Sequence, residues 1–201
     1  MKTLRIATGN TGKLREFSQL LEPLGYQVLG LDDLGSIEII EDGKTFRDNA
    51  IKKASTIMYH TGELTLADDS GLVVHALGGE PGVHSARYAG VTGPEQDRGN
   101  RLKLLQAMED IPAQQRQAHF VCALALCAPG QEPRVFEETF EGSIGFAESG
   151  EHGFGYDAIF VVKGDTRTSA QLDPQEKNRL SHRGKALRKL LTYLHEEQRN
   201  P

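Results

Sequence analysis

The stretch LTLADDSGLVV, at residues 64–74, does most to limit what this chain can become. Residues 64–67 form a short apolar run that reads as a buried strand. It breaks off at two adjacent carboxylates, Asp68 and Asp69, followed by the turn-forming pair Ser70 and Gly71. In an open α/β sheet ligands gather where strands end, and neighbouring carboxylates repel one another unless a cation or a proton separates them. Two readings fit the pair: it holds a divalent metal, or one aspartate caps the turn while the other is solvated.

Near the start, a strand over residues 4–8 runs into Thr8, Gly9, Asn10, Thr11, Gly12 and Lys13. A helix follows, with Leu14, Phe17, Leu20, Leu21 and Leu24 at helical spacing, ended by Pro23 and Gly25. A glycine-bearing turn at a helix start leaves backbone N–H groups that favour an anion. Lys13 and Arg15 nonetheless put positive charge at the positive end of the helix dipole. A bound phosphate resolves that conflict, and a solvated turn is the alternative. The spacing is shorter than that of a Walker A loop.

Residues 26–31 read as a second strand and 37–40 as a third, followed again by carboxylates, Glu41 and Asp42. Thr45 is placed to cap a helix with Asp48 at the capping-box position. Phe46, Ala50, Ala54, Ile57 and Met58 face inward, and Lys52 and Lys53 form the solvated face until Gly62. Residues 72–77 continue extended, and the glycines of residues 78–82 mark a loop that is either mobile or closely approached. Thr92 to Glu95 reads as a capping box for a structural helix that turns Leu102, Leu105 and Met108 to the core. Residues 118–127, the most continuous apolar run, predict a central strand. Residues 134–140 alternate as a half-exposed one, and Pro129-Gly130 between them suggests a hairpin, hence a mixed sheet. Cys122 and Cys127 then point to opposite faces as core thiols.

Residues 150–157, GEHGFGYD, precede a further strand at 158–162. Phe154 and Tyr156 there offer a stacking surface to a nucleotide-sized ligand, or else are core aromatics. Asp173 starts a helix bearing Lys177. Ser181 caps the last helix, whose core face is Leu187, Leu190, Leu191 and Leu194 and whose first turns hold His182, Arg183 and Lys185. A second helix thus begins with cations against its own dipole.

Two cation-loaded helix starts, carboxylates after strands and an aromatic glycine loop together fit a phosphorylated small molecule held with a metal. Mg²⁺ neutralises the charge that develops as a phosphate bond breaks. No serine, cysteine or histidine arrangement makes a covalent nucleophile, which leaves activated water as the attacker. The net charge of -5 gives no global attraction to a nucleic-acid polymer or an anionic membrane. No apolar run approaches the length of a membrane span, and a cytoplasmic location is expected.

The motifs TGNTGKLREF, LADDSGL, GFGYD and EKNRLSHRGKAL, in that order, resemble the Ham1/RdgB family of inosine triphosphate pyrophosphatases. The resemblance spans essentially the whole chain. It implies a metal-dependent hydrolase that converts ITP, dITP and XTP to the monophosphate and pyrophosphate by attack at the α-phosphorus. Matched position by position, Thr8, Gly9, Asn10, Thr11, Gly12 and Lys13 hold the triphosphate. Glu41 and Asp69 place Mg²⁺, Asp69 is also the general base, and Ser70 contacts the substrate. Phe154, Gly155, Tyr156 and Asp157 hold the nucleoside, with Phe154 against the base, and Lys177, His182 and Arg183 complete the pocket. The resemblance also implies a homodimer and a single domain over residues 1–201, an α/β fold with a mixed β-sheet flanked by helices and two lobes around a central cleft. One departure stands out: Asp48 replaces the family's usual glutamate, which favours water-mediated contact or helix capping over direct metal ligation. Asp68 is left as either a second ligand or a neighbour that raises a carboxylate pKa.

Base selectivity has a physical logic as well. Hypoxanthine and xanthine carry a carbonyl at C6 where adenine carries an amino group, so N–H donors from Arg183 or from the backbone near His182 discriminate between them. Guanine must then be refused at C2. The alternatives are a purine nucleotide-binding or sensing module without hydrolysis, and a related pyrophosphatase for pyrimidine or modified nucleotides.

Overall fold

Leu4 and Ile6 alternate with Thr3 and Arg5 and bury both apolar side chains in β1 (Lys2–Ile6). The computed structural model describes residues 2–35 and 37–199. After β1 come α1 (Thr11–Leu21), β2 (Tyr26–Leu29), α2 (Phe46–Thr61), β3 (Leu64–Val74), α3 (Gln96–Ala107), β4 (Gln117–Cys127), β5 (Arg134–Ile144), β6 (Phe160–Val162), α4 (Pro174–Leu180) and α5 (His182–Arg199). Among the described residues the strands form one six-stranded sheet in the order β2-β1-β3-β4-β5-β6. β1 runs parallel to β2 and β3, and β5 runs antiparallel to β6, so the sheet is mixed and the fold is α/β. No helix among the described residues is long and apolar enough to cross a membrane.

The chain divides into two compact units. The first takes Met1–Asp69, Ala123–Glu137 and Ala186–Pro201; the second takes Ser70–Cys122 and Glu138–Lys185. In the first, Phe17 and Leu21 of α1, Ala50, Ala54, Ile57 and Met58 of α2, and Leu190 and Leu194 of α5 are buried. In the second, Leu72, Leu104, Met108, Phe120, Phe140, Tyr156 and Phe160 belong to one apolar cluster. Cys122 and Cys127 are buried free thiols.

Several expectations are corrected. β3 does not stop at the aspartates but continues through Ser70 and Gly71 to Val74. It lies between β1 and β4 in the sheet, and ladder pairing outweighs the turn preference of Ser-Gly. Residues 37–40 form no strand, and Ile40 is exposed. The segment beyond Val74 tightens into a 3₁₀ turn, His75–Leu77, and β6 begins only at Phe160, after another such turn at Asp157–Ile159. The cap at Thr45 is present, its hydroxyl accepting from the Asp48 N–H at 3.0 Å. The capping box at Thr92 is not: α3 starts at Gln96 without a side-chain cap. Leu102 is 51% exposed, and Asn100 and Leu104 take the inner face, with Met108 buried as expected and Leu105 packed partly buried against the core.

That register makes a direct prediction. Leu104→Ala is expected to cost about 2–5 kcal/mol in urea unfolding, and Leu102→Ala no more than about 0.5 kcal/mol. The reverse order would contradict the assigned face.

Candidate active site

In the first unit, Asn10 ends the turn after β1 and caps α1. Its Oδ1 accepts from the Gly12 and Lys13 N–H groups at 2.9 and 3.1 Å, while the Thr8 hydroxyl accepts from the Asn10 N–H at 3.2 Å. An anion docking here competes with Asn10 for those two amides. The Lys13 ammonium lies 2.6 Å from Asp68 Oδ2, and that carboxylate is 2% exposed. The charge conflict at the helix start is thus met from within the protein, by a buried aspartate.

Because β3 stays extended, Asp68 and Asp69 project to opposite faces. Each has its own lysine. Lys53, expected on a solvated face, is 12% exposed and donates to Asp69 Oδ1 at 3.0 Å, with Glu41 Oε2 at 3.4 Å. Lys52 does sit at the surface, paired with Asp42. Helical geometry explains the split: Ala50, Ala54 and Ile57 set the inward stripe of α2, and Lys53 borders it. The buried Asn49 accepts the Gly43 N–H at 2.7 Å, which fixes the loop after Glu41 against α2. Asp48 is exposed in the first turn of that helix.

Burial raises the Asp69 carboxyl above the ordinary aspartate range, although Lys53 and Asn49 pull it back down. Lys53 itself, lowered by burial, is carried above the ordinary lysine range by Asp69 and Glu41. Asp69 Oδ2 is buried, and no donor among the described residues meets it at normal hydrogen-bond geometry. Among those residues no group of three or more His, Cys, Asp or Glu side chains is placed to hold a metal ion. Glu41 and Asp69 nevertheless meet the same ammonium, so both lie within reach of one cation. Mg²⁺ commonly takes only one or two carboxylates and fills its octahedron with water and phosphate oxygens, so this pair, with one oxygen left over, fits it.

In the second unit, the Arg183 guanidinium donates to the Ser70 hydroxyl at 3.3 Å. Asp157, buried after the glycine loop, accepts from the Phe154 N–H at 2.9 Å and from Lys177 Nζ at 2.5 Å. The structure separates the two aromatics. Phe154 is 62% exposed, with Lys177 Nζ 5.3 Å and Arg183 Cζ 5.7 Å from its ring centroid. Tyr156 is core, and its hydroxyl donates to the Ser85 carbonyl at 2.8 Å. Burial pushes that hydroxyl far above the ordinary tyrosine range. The His182 ring stacks on Phe120 with centroids 5.0 Å apart, and Lys185 donates to the Thr139 carbonyl at 2.8 Å.

Three site neighbours escaped the sequence reading: Lys53, and Asp97 and Arg101 of α3. Asp97 accepts the Gly155 N–H at 2.7 Å, and Arg101 donates to the Gly155 carbonyl at 2.9 Å. The one sequence signal for the α3 pair is the (i, i+4) spacing of opposite charges, which ordinarily marks a solvated helix face.

The sequence profile of the Ham1 family matches residues 4–193. A dITP/XTP pyrophosphatase of Bacillus licheniformis is 50% identical over 195 residues, covering 96% of this chain and 98% of that protein. The dITP/XTP pyrophosphatase of Bacillus subtilis is 48% identical over 191 residues, covering 94% and 96%. Among solved structures, the Ham1 protein of Staphylococcus aureus superposes with a TM-score of 0.90 at 38% identity, over 98% of this chain and 100% of that one. A HAM1 protein from Coxiella burnetii gives 0.91 at 41% identity, with the same coverage.

The loop before Asp157 can be probed by a pair of glycines. At Gly153, where φ is +84°, an added Cβ would lie 2.2 Å from Asp157 Oδ2 and 2.8 Å from Lys177 Nζ; at Gly155, φ +59°, it would meet nothing within 4 Å. Gly155→Ala is expected to lower Tm by about 2–4 °C through backbone strain alone. Gly153→Ala is expected to lower it by roughly twice that or more, because the ion pair is broken as well. Equal shifts would mean that the Asp157–Lys177 pair adds nothing.

Proposed function

This chain belongs to the Ham1 family, and we propose that it is a nucleoside triphosphate pyrophosphohydrolase that removes the non-standard purine nucleotides ITP, dITP and XTP. Each is cleaved to the monophosphate and pyrophosphate. The observation that carries the chemistry is the state of Asp69: one carboxylate oxygen is held by Lys53 at 3.0 Å, and the other is buried with no donor at normal hydrogen-bond geometry among the described residues. An oxygen in that state is ready to take a proton, and the attacking water has one to give. The water oxygen bonds to the α-phosphorus, the bond from that phosphorus to the oxygen bridging the β-phosphate breaks, and pyrophosphate leaves with the electron pair. The water proton passes to Asp69. Burial, by raising the Asp69 pKa, makes it the stronger base, and Lys53 fixes its orientation. Mg²⁺ at Glu41 and Asp69 supplies charge neutralisation on the phosphates when bound.

The remaining roles follow the resemblance. Thr8, Gly9, Asn10, Thr11, Gly12 and Lys13 take the triphosphate, and Ser70 contacts the substrate. Phe154, Gly155, Tyr156 and Asp157 hold the nucleoside with Lys177, His182 and Arg183, and the Phe154 ring stacks on the base. Tyr156 contributes through its backbone, because its ring is buried. The Arg183 guanidinium near the Phe154 ring offers donors to a C6 carbonyl, which hypoxanthine and xanthine have and adenine lacks. The same reading includes a homodimer and a cytoplasmic location.

The purified chain with Mg²⁺ is expected to release pyrophosphate from dITP and XTP and to turn over ATP far more slowly. Chelation by EDTA stops turnover, and Mg²⁺ restores it. Asp69→Asn is expected to lower kcat by about 10²–10⁴-fold while nucleotide binding persists. Orthophosphate as the sole product would contradict attack at the α position, and near-wild-type turnover by Asp69→Asn would remove it as the base.

A further inference from the structure

We infer that Asp97 and Arg101 of α3 are positioning residues that hold the nucleoside loop in its binding conformation by gripping both backbone polar groups of Gly155. The inference rests on the reading above, in which residues 154–157 hold the nucleoside. Neither side chain is assigned contact with substrate.

Asp97 and Arg101 stand one turn apart on one face of α3. The carboxylate takes the Gly155 N–H at 2.7 Å, and the guanidinium gives to the carbonyl of the same residue at 2.9 Å. Each bond is charge-assisted, which makes it shorter and stronger than a neutral one. Through Nε, Arg101 also reaches Glu148 at 2.8 Å, so one guanidinium ties together positions on both sides of residues 150–154. The residue after Gly155 is fixed from the same helix. The buried Asn100 accepts the Ala89 N–H at 2.7 Å and donates to the Ser85 and Ala86 carbonyls at 3.2 and 3.0 Å. Ser85 in turn accepts from the Tyr156 hydroxyl.

Phe154 is the member of the loop whose ring is not packed in the core, although Lys177 and Arg183 lie beside it. Its side chain is 62% exposed, and the loop meets it through the N–H given to Asp157. A ring that projects into solvent keeps a fixed direction only if the backbone beside it is fixed. The clamp on Gly155 does this from within the protein, which lowers the cost of ordering the loop on binding. Loss of the clamp therefore appears in affinity for the nucleoside. The base Asp69 belongs to the other unit, and turnover at saturation is expected to change little.

The test uses the full chain and the variants Arg101→Gln, Arg101→Lys and Asp97→Asn, with Leu194→Ala of α5, buried in the other unit, as a destabilised control. Pyrophosphate release from dITP gives KM and kcat. Calorimetry gives Kd for dIMP and for inorganic tripolyphosphate, which has no base. Amide exchange is followed in the peptide spanning residues 150–157. Arg101→Gln and Asp97→Asn are expected to raise KM and the dIMP Kd by about tenfold or more. Their kcat stays within about threefold of wild type, tripolyphosphate affinity is unchanged and loop exchange is faster. Arg101→Lys, which keeps the charge but not the fork, falls between. Leu194→Ala lowers Tm without moving KM. An unchanged KM in both Gln and Asn variants overturns the inference even if exchange quickens, and so does a fall in kcat at constant KM or an equal loss of tripolyphosphate binding. Wild-type protein that releases no pyrophosphate from dITP overturns the proposed function and takes this inference with it; an active wild type with unaltered variants overturns this inference alone.

Discussion

Asp69 is a largely buried carboxylate, and the Lys53 ammonium 3.0 Å away is what makes its burial tolerable. A carboxylate taken from water without a partner costs several kcal/mol, and removing one member of such a pair exposes that cost. Lys53 also contacts Glu41, so a single cation keeps two acids together that would otherwise repel. This is the electrostatic problem a divalent ion solves in a phosphoryl-transfer site, and here a side chain solves it in part. The balance is incomplete: Lys53 faces one oxygen of Asp69, and the other is buried with no donor at normal hydrogen-bond geometry among the described residues. A fully satisfied carboxylate would have no capacity left for a proton or a metal.

The alternation of β3 makes that arrangement available. Had the chain turned at Ser70, Asp68 and Asp69 would share a loop and compete for the same cation. Extended, they separate, and Asp68 meets Lys13 while Asp69 meets Lys53. The chain then passes from Asp69 directly to Ser70, which receives the Arg183 guanidinium in the second unit. Strand geometry therefore gives three consecutive residues three different partners.

The sheet and helices were largely legible, because periodicity reports burial along β4 and α5 directly. The carboxylates, the glycine turn and the aromatic loop stand out in the sequence by residue type and spacing. What could not be read was pairing across long sequence separations. Lys53 looked solvated because a lysine beside an apolar stripe usually is, and only the fold shows that the stripe's edge faces β3. Lys13 posed a real conflict with the helix dipole, but local sequence could not distinguish a phosphate from Asp68 as its resolution. In α3 it is Leu102 that is misplaced, since Met108 is buried and Leu105 packs against the core, and for a different reason: the Thr-Gly-Pro-Glu cap is plausible by itself, while Asn100 on the inner face breaks an all-apolar pattern. That asparagine is inside because it satisfies three backbone groups, a demand set by a loop elsewhere in the chain.

α3 can act as a splint only if it is itself immobile, and its C-terminal end shows how this is achieved. Arg116 is 2% exposed and donates to the carbonyls of Met108 and Ile111 just beyond the helix, and to those of Ile144 and Gly145. A buried guanidinium with carbonyl rather than carboxylate partners gains little from charge, and burial lowers its pKa. Its value lies in geometry, because a rigid fork fixes several backbone positions at once. The helix is thus fastened at its end by Arg116 and in its middle by Asn100 and Leu104. From that base it presents Asp97 and Arg101 to Gly155. Rigidity is passed from core to helix to loop, and an exposed aromatic ring acquires a defined direction without being packed in place.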